Sequence, residues 1–396
     1  METVPTTNRL ILIIGAGVAG LALAQGLHKH GIPFRIYERY PQSSTAHGHR
    51  FRCSHLAVEQ LKSVLSPKLQ QLLEDTIPIA DDSMPQYTDC RELSLKTYPH
   101  LDSPPISIAA DRSWLQTILA TGIEGCIQYD RDFKEYHVND AGSVTALFCD
   151  GSAATGKILI GADGARSKVR KQLQPERRLL DLNRWGLWGR TPLTPIVDQR
   201  FSEKLLPWCL AHDRAANLFA MQGPQVWSEE AKKIWEPRQP PIQDYIFWAF
   251  STEPPSVEPQ TTSEKAEHVA RITKTWHPDL KVLFSHGAYD LTGANRLFSS
   301  KPDIELEHAD HQGKVLLLGD AAHVMSPMAG SGGSTAIINA VDLADTIGNQ
   351  GIAAPVLQAW TRRMSARAKE RIEYSLKQGK FFMNAKDWWE YREVEI

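Results

Sequence analysis

The sequence is short of the features that settle a function quickly. Its five cysteines, Cys53, Cys90, Cys126, Cys149 and Cys209, are odd in number, widely spaced and form no CxxC pair. That excludes a disulfide scaffold and leads us to expect reduced thiols in a reducing, cytoplasmic compartment. Without CxxC or HExxH, a zinc site has no support, and no metal is expected. Charge of one sign is also lacking. Lys plus Arg is 44 and Asp plus Glu is 46, a formal net charge of -2, which argues against a polyphosphate-binding surface and so against a nucleic-acid partner. No internal repeat or low-complexity segment occurs. At 42% hydrophobic and 23% charged, disorder, collagen and coiled coil are excluded. A length of 396 residues is too great for one small core and fits two domains, or one large α/β domain with an insertion.

One long apolar run is present. Leu10 to Leu27 holds 18 residues without a charge, the lower limit for a membrane span. Its Ala22-Leu23-Ala24 string also resembles a signal-peptide cleavage site, but Glu2 and Arg9 cancel and leave no basic lead-in. The run contains Gly15-Ala16-Gly17-Val18-Ala19-Gly20, a GxGxxG. Before it, Arg9 to Ile14 reads as a buried parallel strand. After it, Val18 to His30 reads as a helix stopped by Gly31, and Phe34 to Glu38 as the next strand. This context gives the motif its meaning. Gly15 permits the tight turn. Gly17 lets a pyrophosphate approach the helix N-terminus, where free N–H groups and the dipole favour anions. Gly20 allows the helix to pack closely. Glu38, 18 residues beyond Gly20, is placed to accept from ribose hydroxyls, with Arg39 beside it. The run is therefore a strand and a helix joined by a phosphate-binding turn, and no transmembrane segment is expected.

Further along, 55–75 reads as helical with a break at Pro67, and a helix begins after Asp111-Arg112. From Trp185 to Pro278, tryptophans and prolines gather and strands with long loops are expected. Ile158-Leu159-Ile160-Gly161-Ala162-Asp163-Gly164-Ala165-Arg166-Ser167 joins a short strand to an Asp-Gly turn. Val315 to Gly319-Asp320-Ala321-Ala322-His323 joins another strand to Gly-Asp. Then follow Pro327, a glycine-rich turn at Gly330, Gly332 and Gly333, and a helix from about Ser334.

These segments resemble, in order, the GxGxxG, DG and GD motifs of the single-component flavoprotein monooxygenases of the p-hydroxybenzoate hydroxylase fold. The likeness spans nearly the whole chain. It implies an α/β fold: a Rossmann-like FAD-binding domain with an inserted mixed β-sheet substrate domain and a C-terminal helix. We expect the FAD unit at 1–80, 105–180 and 290–354, the substrate sheet at 81–104 and 181–289, and a helical segment at 355–396. On this division no room is left for the extra C-terminal domain that some relatives carry. The resemblance implies tightly bound FAD, transient NADPH or NADH, and O2. Asp163 would help to form the groove for pyrophosphate and reductant, and Asp320 would accept from the ribityl hydroxyls. Pro327 with Gly330, Gly332 and Gly333 would lie at the isoalloxazine ring. Arg50 and Arg52 match the family's arginine pair, which neutralises a pyrophosphate, and Arg112 matches a cofactor contact. Ser334 and Asn339 depart from the family, where Asn and Asp are usual. Arg190 matches an arginine that faces the flavin in related fungal-type enzymes and is the catalytic candidate. Trp188 and Trp248 are candidates for lining an aromatic pocket. His323 is read as structural, and His47, His49 and His55 lack metal spacing.

The implied reaction passes through a C4a-hydroperoxyflavin and hydroxylates or epoxidises an aromatic or secondary-metabolite substrate, such as a polyketide, alkaloid or terpenoid. The partner is thus a small molecule, and the protein is expected to be a monomer or homodimer. A second reading is a flavin-fold cyclase or binding protein that keeps FAD without redox turnover. A flavin-dependent halogenase is disfavoured, because Trp185-Gly186-Leu187-Trp188 has the wrong spacing and no following Ile-Pro.

Overall fold

The computed structural model describes residues 9–42, 50–79, 86–97, 107–140, 142–195, 197, 208–304 and 313–396. His47 and His49, and parts of the expected segment 81–104, lie outside them. The strand Ile11–Ile14 is buried along its whole length. It sits at the centre of a five-stranded parallel sheet in the order Val315–Leu317, Ile158–Gly161, Ile11–Ile14, Phe34–Tyr37, Ile127–Gln128. The runs ILII, ILIG and VLL have no polar face, so they suit strands covered on both sides. The helices Val18–Lys29 and Gly332–Gln350 pack together on this sheet. Gly26 approaches Ala344 so closely that a Cβ would overlap it. The helix Ala354–Met383 lies behind the second of these and buries Leu357, Trp360 and Met364. A three-stranded antiparallel sheet, Phe133–Val138, Val144–Phe148 and Ala153–Gly156, packs nearby.

A second, larger sheet has eight described strands. Seven run in the order Gly293–Ser299, Leu179–Pro192, Tyr245–Thr252, Leu218–Gln225, Cys209–Asp213, Gln86–Asp89, Leu95–Thr97. One face carries Ile246, Trp248 and Phe250 into an aromatic core with Trp276, Leu280 and Phe284, beside the helices Thr262–Ile272 and Pro278–Ser285. Ring centroids there approach to 4.8 Å for Phe250–Phe284. The other face carries Tyr245, Phe247 and, in register with Phe247, Arg190. That face meets the dinucleotide unit, because Tyr245 hydrogen-bonds to Asp111.

Three boundaries differ from expectation. Gly293–Ser299 falls in a segment expected to belong to the dinucleotide unit but pairs with Leu180–Trp188 in the large sheet. The glycine-rich turn gives way to helix at Gly332, not Ser334. The segment 355–396 is not helical to its end. The eighth strand, Arg392–Val394, pairs with Leu179–Asp181. The reason is an open edge: Tyr245–Thr252 ends opposite Trp185 and leaves Leu179–Asp181 without a ladder partner on that side. No helix among the described residues is long and apolar enough to cross a membrane.

Candidate functional site

The site begins at the C-terminal edge of the parallel sheet, where strand-to-helix turns leave backbone N–H groups open to a ligand. A cleft of about 1080 Å³ is lined there by Gly15, Gly17, Glu38, Arg39, Arg112 and Asp163. Gly15 has φ +107°, and a Cβ on it would run into the Ala162 carbonyl. The glycine turn and the Asp163 turn therefore lie in contact, which only glycine permits here. A Cβ on Gly20 would strike the Gly15 carbonyl and press on the Ile13 side chain of the strand, so a side chain here would part the helix from both turn and strand. A Cβ on Gly17 would meet nothing within 4 Å, because that position faces the open cleft. Glu38 Oε2 accepts from Ala16 N–H at 2.8 Å, and Oε1 from Tyr40 N–H at 3.0 Å. These bonds fix the carboxylate at the rim.

Asp163 is tied inward. Ser167 Oγ donates to it at 2.5 Å and Val169 N–H at 3.2 Å. Burial raises its pKa, opposed by these bonds. Its carbonyl accepts from Arg39 Nη2 at 3.3 Å. Asp320 follows the strand Val315–Leu317 and opens the one-turn helix Asp320–His323. Protein surrounds its carboxyl, yet solvent still reaches it. That burial raises its pKa, opposed by the charges of Arg112 and Arg170. A carboxylate ringed by protein but open on one side fits a ligand that brings hydroxyl donors. With the N–H groups of the turn, the cleft fits a dinucleotide such as FAD.

Beyond the cleft lies a second cluster. Pro327 opens the short turn Pro327–Ala329, and Gly330 packs on Arg52. Gly332 and Gly333 form the first turn of the following helix, with Phe51 against Gly333. Arg50 and Arg52, expected at a pyrophosphate, do not line this cleft. Their strand, Arg50–Ser54, pairs with Ser107–Asp111 and directs both guanidinium groups to the large sheet. Arg52 donates to Ser107 Oγ and stacks 4.0 Å over Trp208. Arg50 rests on Gly223.

Arg190 projects from the facing sheet. Its Nη2 lies 3.5 Å from Asp111 Oδ2, and its guanidinium lies 4.3 Å over the Tyr245 ring. Tyr245 donates to the same oxygen at 2.7 Å, while Asp111 Oδ1 caps the helix Arg112–Ala120 through Trp114 N–H. Burial, and then Asp111, hold the Tyr245 phenol well above its usual pKa. Trp188 shares this face and is half-buried beside Tyr245 and Phe247. Trp248 does not. One position out of phase with Phe247, it points into the aromatic core, fully buried, and donates to Thr191 Oγ1 at 3.0 Å. Its expected place in a pocket wall is corrected by the two-residue period of the strand.

The departures at Ser334 and Asn339 have structural roles. Ser334 Oγ accepts from Ser54 N–H at 2.9 Å, latching the Arg50–Ser54 strand to the glycine-turn helix. Asn339 Nδ2 lies 3.0 Å from His323 Nε2, and Asn339 Oδ1 accepts from Arg367 Nε at 2.8 Å. His323 is wholly buried, and burial pushes its pKa down to about 4. His55 opens the helix His55–Val64 and is exposed. Among the described residues no group of three His, Cys, Asp or Glu could hold a metal ion. Sequence reasoning passed over Arg131 and Lys168, which line the cleft without any motif. It also passed over Asp111 and Tyr245. Asp111 was legible only as a helix cap.

The chain belongs to the FAD binding domain family, whose model matches residues 9–350. Its relatives are flavoproteins. The dual O-methyltransferase/FAD-dependent monooxygenase CTB3 of Cercospora beticola is 30% identical over 92% of this chain and 45% of its own length. The FAD-dependent monooxygenase thnD of Trichoderma harzianum is 28% identical over 84% of this chain and 82% of its own. The chain thus spans less than half the length of the first of these curated relatives. Among solved structures, HpxO of Klebsiella pneumoniae, complexed with FAD and uric acid, superposes with a TM-score of 0.75 at 20% identity, covering 98% of this chain and 92% of that one. The 2,6-dihydroxypyridine-3-hydroxylase of Arthrobacter nicotinovorans gives 0.75 at 18% identity, covering 96% and 93%. At such identities these structures speak for the fold alone.

Proposed function

We propose that the protein is an FAD-dependent monooxygenase that hydroxylates or epoxidises an aromatic or secondary-metabolite substrate at the expense of NAD(P)H and O2. Glu38, Arg39, Arg112 and Asp163 would hold the nucleotide half of FAD, Asp320 the ribityl chain, and the Pro327–Gly333 turn the ring. FAD, when bound, takes electrons from NAD(P)H and activates O2. One oxygen atom goes to the substrate and the other leaves as water, so one NAD(P)H is oxidised per product. The chain's own residues bind, orient and shield. The helix starting at Gly332 would present its positive end to a ring held by that turn and would favour negative charge there. The observation that carries the reading is the Arg190–Asp111–Tyr245 cluster. It puts a guanidinium and aromatic walls on the sheet face that meets the cofactor unit, where a phenolate or enolate can be oriented.

The test is direct. Purified protein is loaded with FAD, and NAD(P)H oxidation is followed with and without aromatic substrates under air. A flavin absorption spectrum and substrate-stimulated oxidation are expected. A protein that takes up no FAD refutes the proposal. Product formed without NAD(P)H and O2 would replace it with a cyclase.

A further inference from the structure

Two crossings between the cofactor unit and the large sheet meet behind the turn that carries Asp320. The chain leaves the cofactor unit through 174–178, between the helix Lys168–Leu173 and the strand Leu179–Pro192. It comes back at Ser300, one residue beyond the strand Gly293–Ser299. One guanidinium joins both crossings to the turn. Arg177 Nη2 donates to the Ala322 carbonyl at 2.5 Å and to Ser300 Oγ at 3.0 Å, and Nη1 donates to Gln174 Oε1 at 2.9 Å. Ser300 N–H in turn donates to the Val324 carbonyl at 2.7 Å. The terminal strand closes the same junction, since it pairs with Leu179–Asp181 and Glu393 meets Lys301 at 3.0 Å.

Ala322 lies in the one-turn helix that Asp320 opens. A helix this short leaves its carbonyls without intrahelical partners, and side-chain donors must serve them. Arg177 serves Ala322, and Arg170 Nη1 serves Ala321 at 3.4 Å. The arrangement is not explained by stability. Among the described residues no carboxylate pairs with Arg177, and its Nε is buried without a partner. Burial, and then the charge of Arg170, push its pKa down to about 9, so it still carries its charge at neutral pH. A charge held away from water among neutral acceptors costs stability. What its bonds do is fix the backbone on which Asp320 stands, from the segment that begins the strand bearing Trp188 and Arg190.

We propose that Arg177 is a positioning residue for the cofactor: by gripping Ala322 from the linker into the large sheet, it sets the Asp320 carboxylate against the ribityl chain. This rests on the FAD reading above, in which Asp320 accepts from the ribityl hydroxyls. Arg177 does not line the dinucleotide cleft, so it acts through the turn and not on a ligand.

The experiment titrates the full-length chain, freed of flavin, with FAD and with ADP, which lacks the ring and the ribityl chain. Arg177→Met keeps much of the apolar stem and none of the donors. It is expected to raise the FAD dissociation constant about fivefold or more and to leave that of ADP within about twofold. Arg177→Lys keeps the charge and a donor for Ala322, and is expected to restore part of the affinity. The deciding measurement is a cycle with Asp320→Ala. Once that carboxylate is gone, Arg177→Met is expected to have no further effect on FAD binding. Urea unfolding of the same proteins separates loss of fold from loss of position, and Arg177→Gln carries the same cycle if Arg177→Met does not fold. The proposal is overturned if Arg177→Met binds FAD as wild type does, if it weakens ADP equally, or if its effect persists undiminished beside Asp320→Ala. A wild-type chain that takes up no FAD fails at the monooxygenase reading, a distinct result.

Discussion

Acid should weaken this protein through one histidine. His323 is wholly buried under the GD turn. Its neighbours dictate its tautomer. Arg367 Nε donates to Asn339 Oδ1, so the amide must turn its NH2 towards the ring, and His323 Nε2 must accept. The ring proton then sits on Nδ1. Protonating Nε2 would set N–H against NH2 in a site already closed to water, with Arg177 and Arg367 adding like charge. Burial is the largest cause, and the pKa falls from 6.5 to about 4. In the unfolded chain the same histidine titrates near 6.5. Above that pH both states are neutral, and the group contributes no pH dependence. Below it the unfolded state takes up the proton first, so stability falls until the folded pKa is reached. At about 1.4 kcal/mol per pH unit, the loss is about 1.4 kcal/mol by pH 5.5 and approaches about 3 kcal/mol near pH 4. Urea unfolding of FAD-saturated protein between pH 7.5 and 4.5 would measure it. Other groups titrate in that range, so the difference from His323→Gln is the diagnostic quantity. Gln can still accept from Asn339 but carries no proton equilibrium. The wild type should lose stability relative to the variant as pH falls. Parallel curves for the two proteins would refute the argument.

Arg190→Met should leave FAD binding intact and abolish product formation. Turnover equal to wild type would remove Arg190 from the mechanism. Gly15→Ala forces φ +107° on a residue with a Cβ and drives that carbon into the Ala162 carbonyl. The FAD dissociation constant should rise by more than about tenfold, measured by flavin fluorescence. Ser334→Ala strands the Ser54 N–H, which should cost about 1–3 kcal/mol in urea unfolding with little change in FAD affinity. Trp248→Phe breaks the bond to Thr191 and opens a void in the aromatic core. It should lower stability by about 1–3 kcal/mol and leave substrate KM unchanged, whereas Trp188→Ala should raise KM. A shift in KM for Trp248→Phe at wild-type stability would restore Trp248 to the pocket wall.

What was legible in the sequence depended on whether one residue type alone could meet a constraint. Gly15 announced itself because a positive φ and a carbonyl in contact leave no alternative. Asp320 did so because it follows an unbroken aliphatic run, Val315 to Leu318, and a glycine. Where two arrangements satisfy the same composition, nothing local decides. Tyr245–Thr252 is apolar on both faces, so it shows no two-residue alternation and does not tell Phe247 from Trp248. The arginine pair resembled the family's pair, yet the direction of the Arg50 side chain is set by Gly223, 173 positions away in the chain. Asp111 reads locally as a helix cap, which it is. Its second oxygen serves Tyr245 and Arg190, far along the chain. One carboxylate thus starts a helix of the cofactor unit and anchors the candidate catalytic arginine on the facing sheet. Asp111→Asn would keep the Oδ1 cap but weaken the charge on Arg190, so helix stability and turnover should separate. If both fall together, the cap and the arginine anchor are not independent duties.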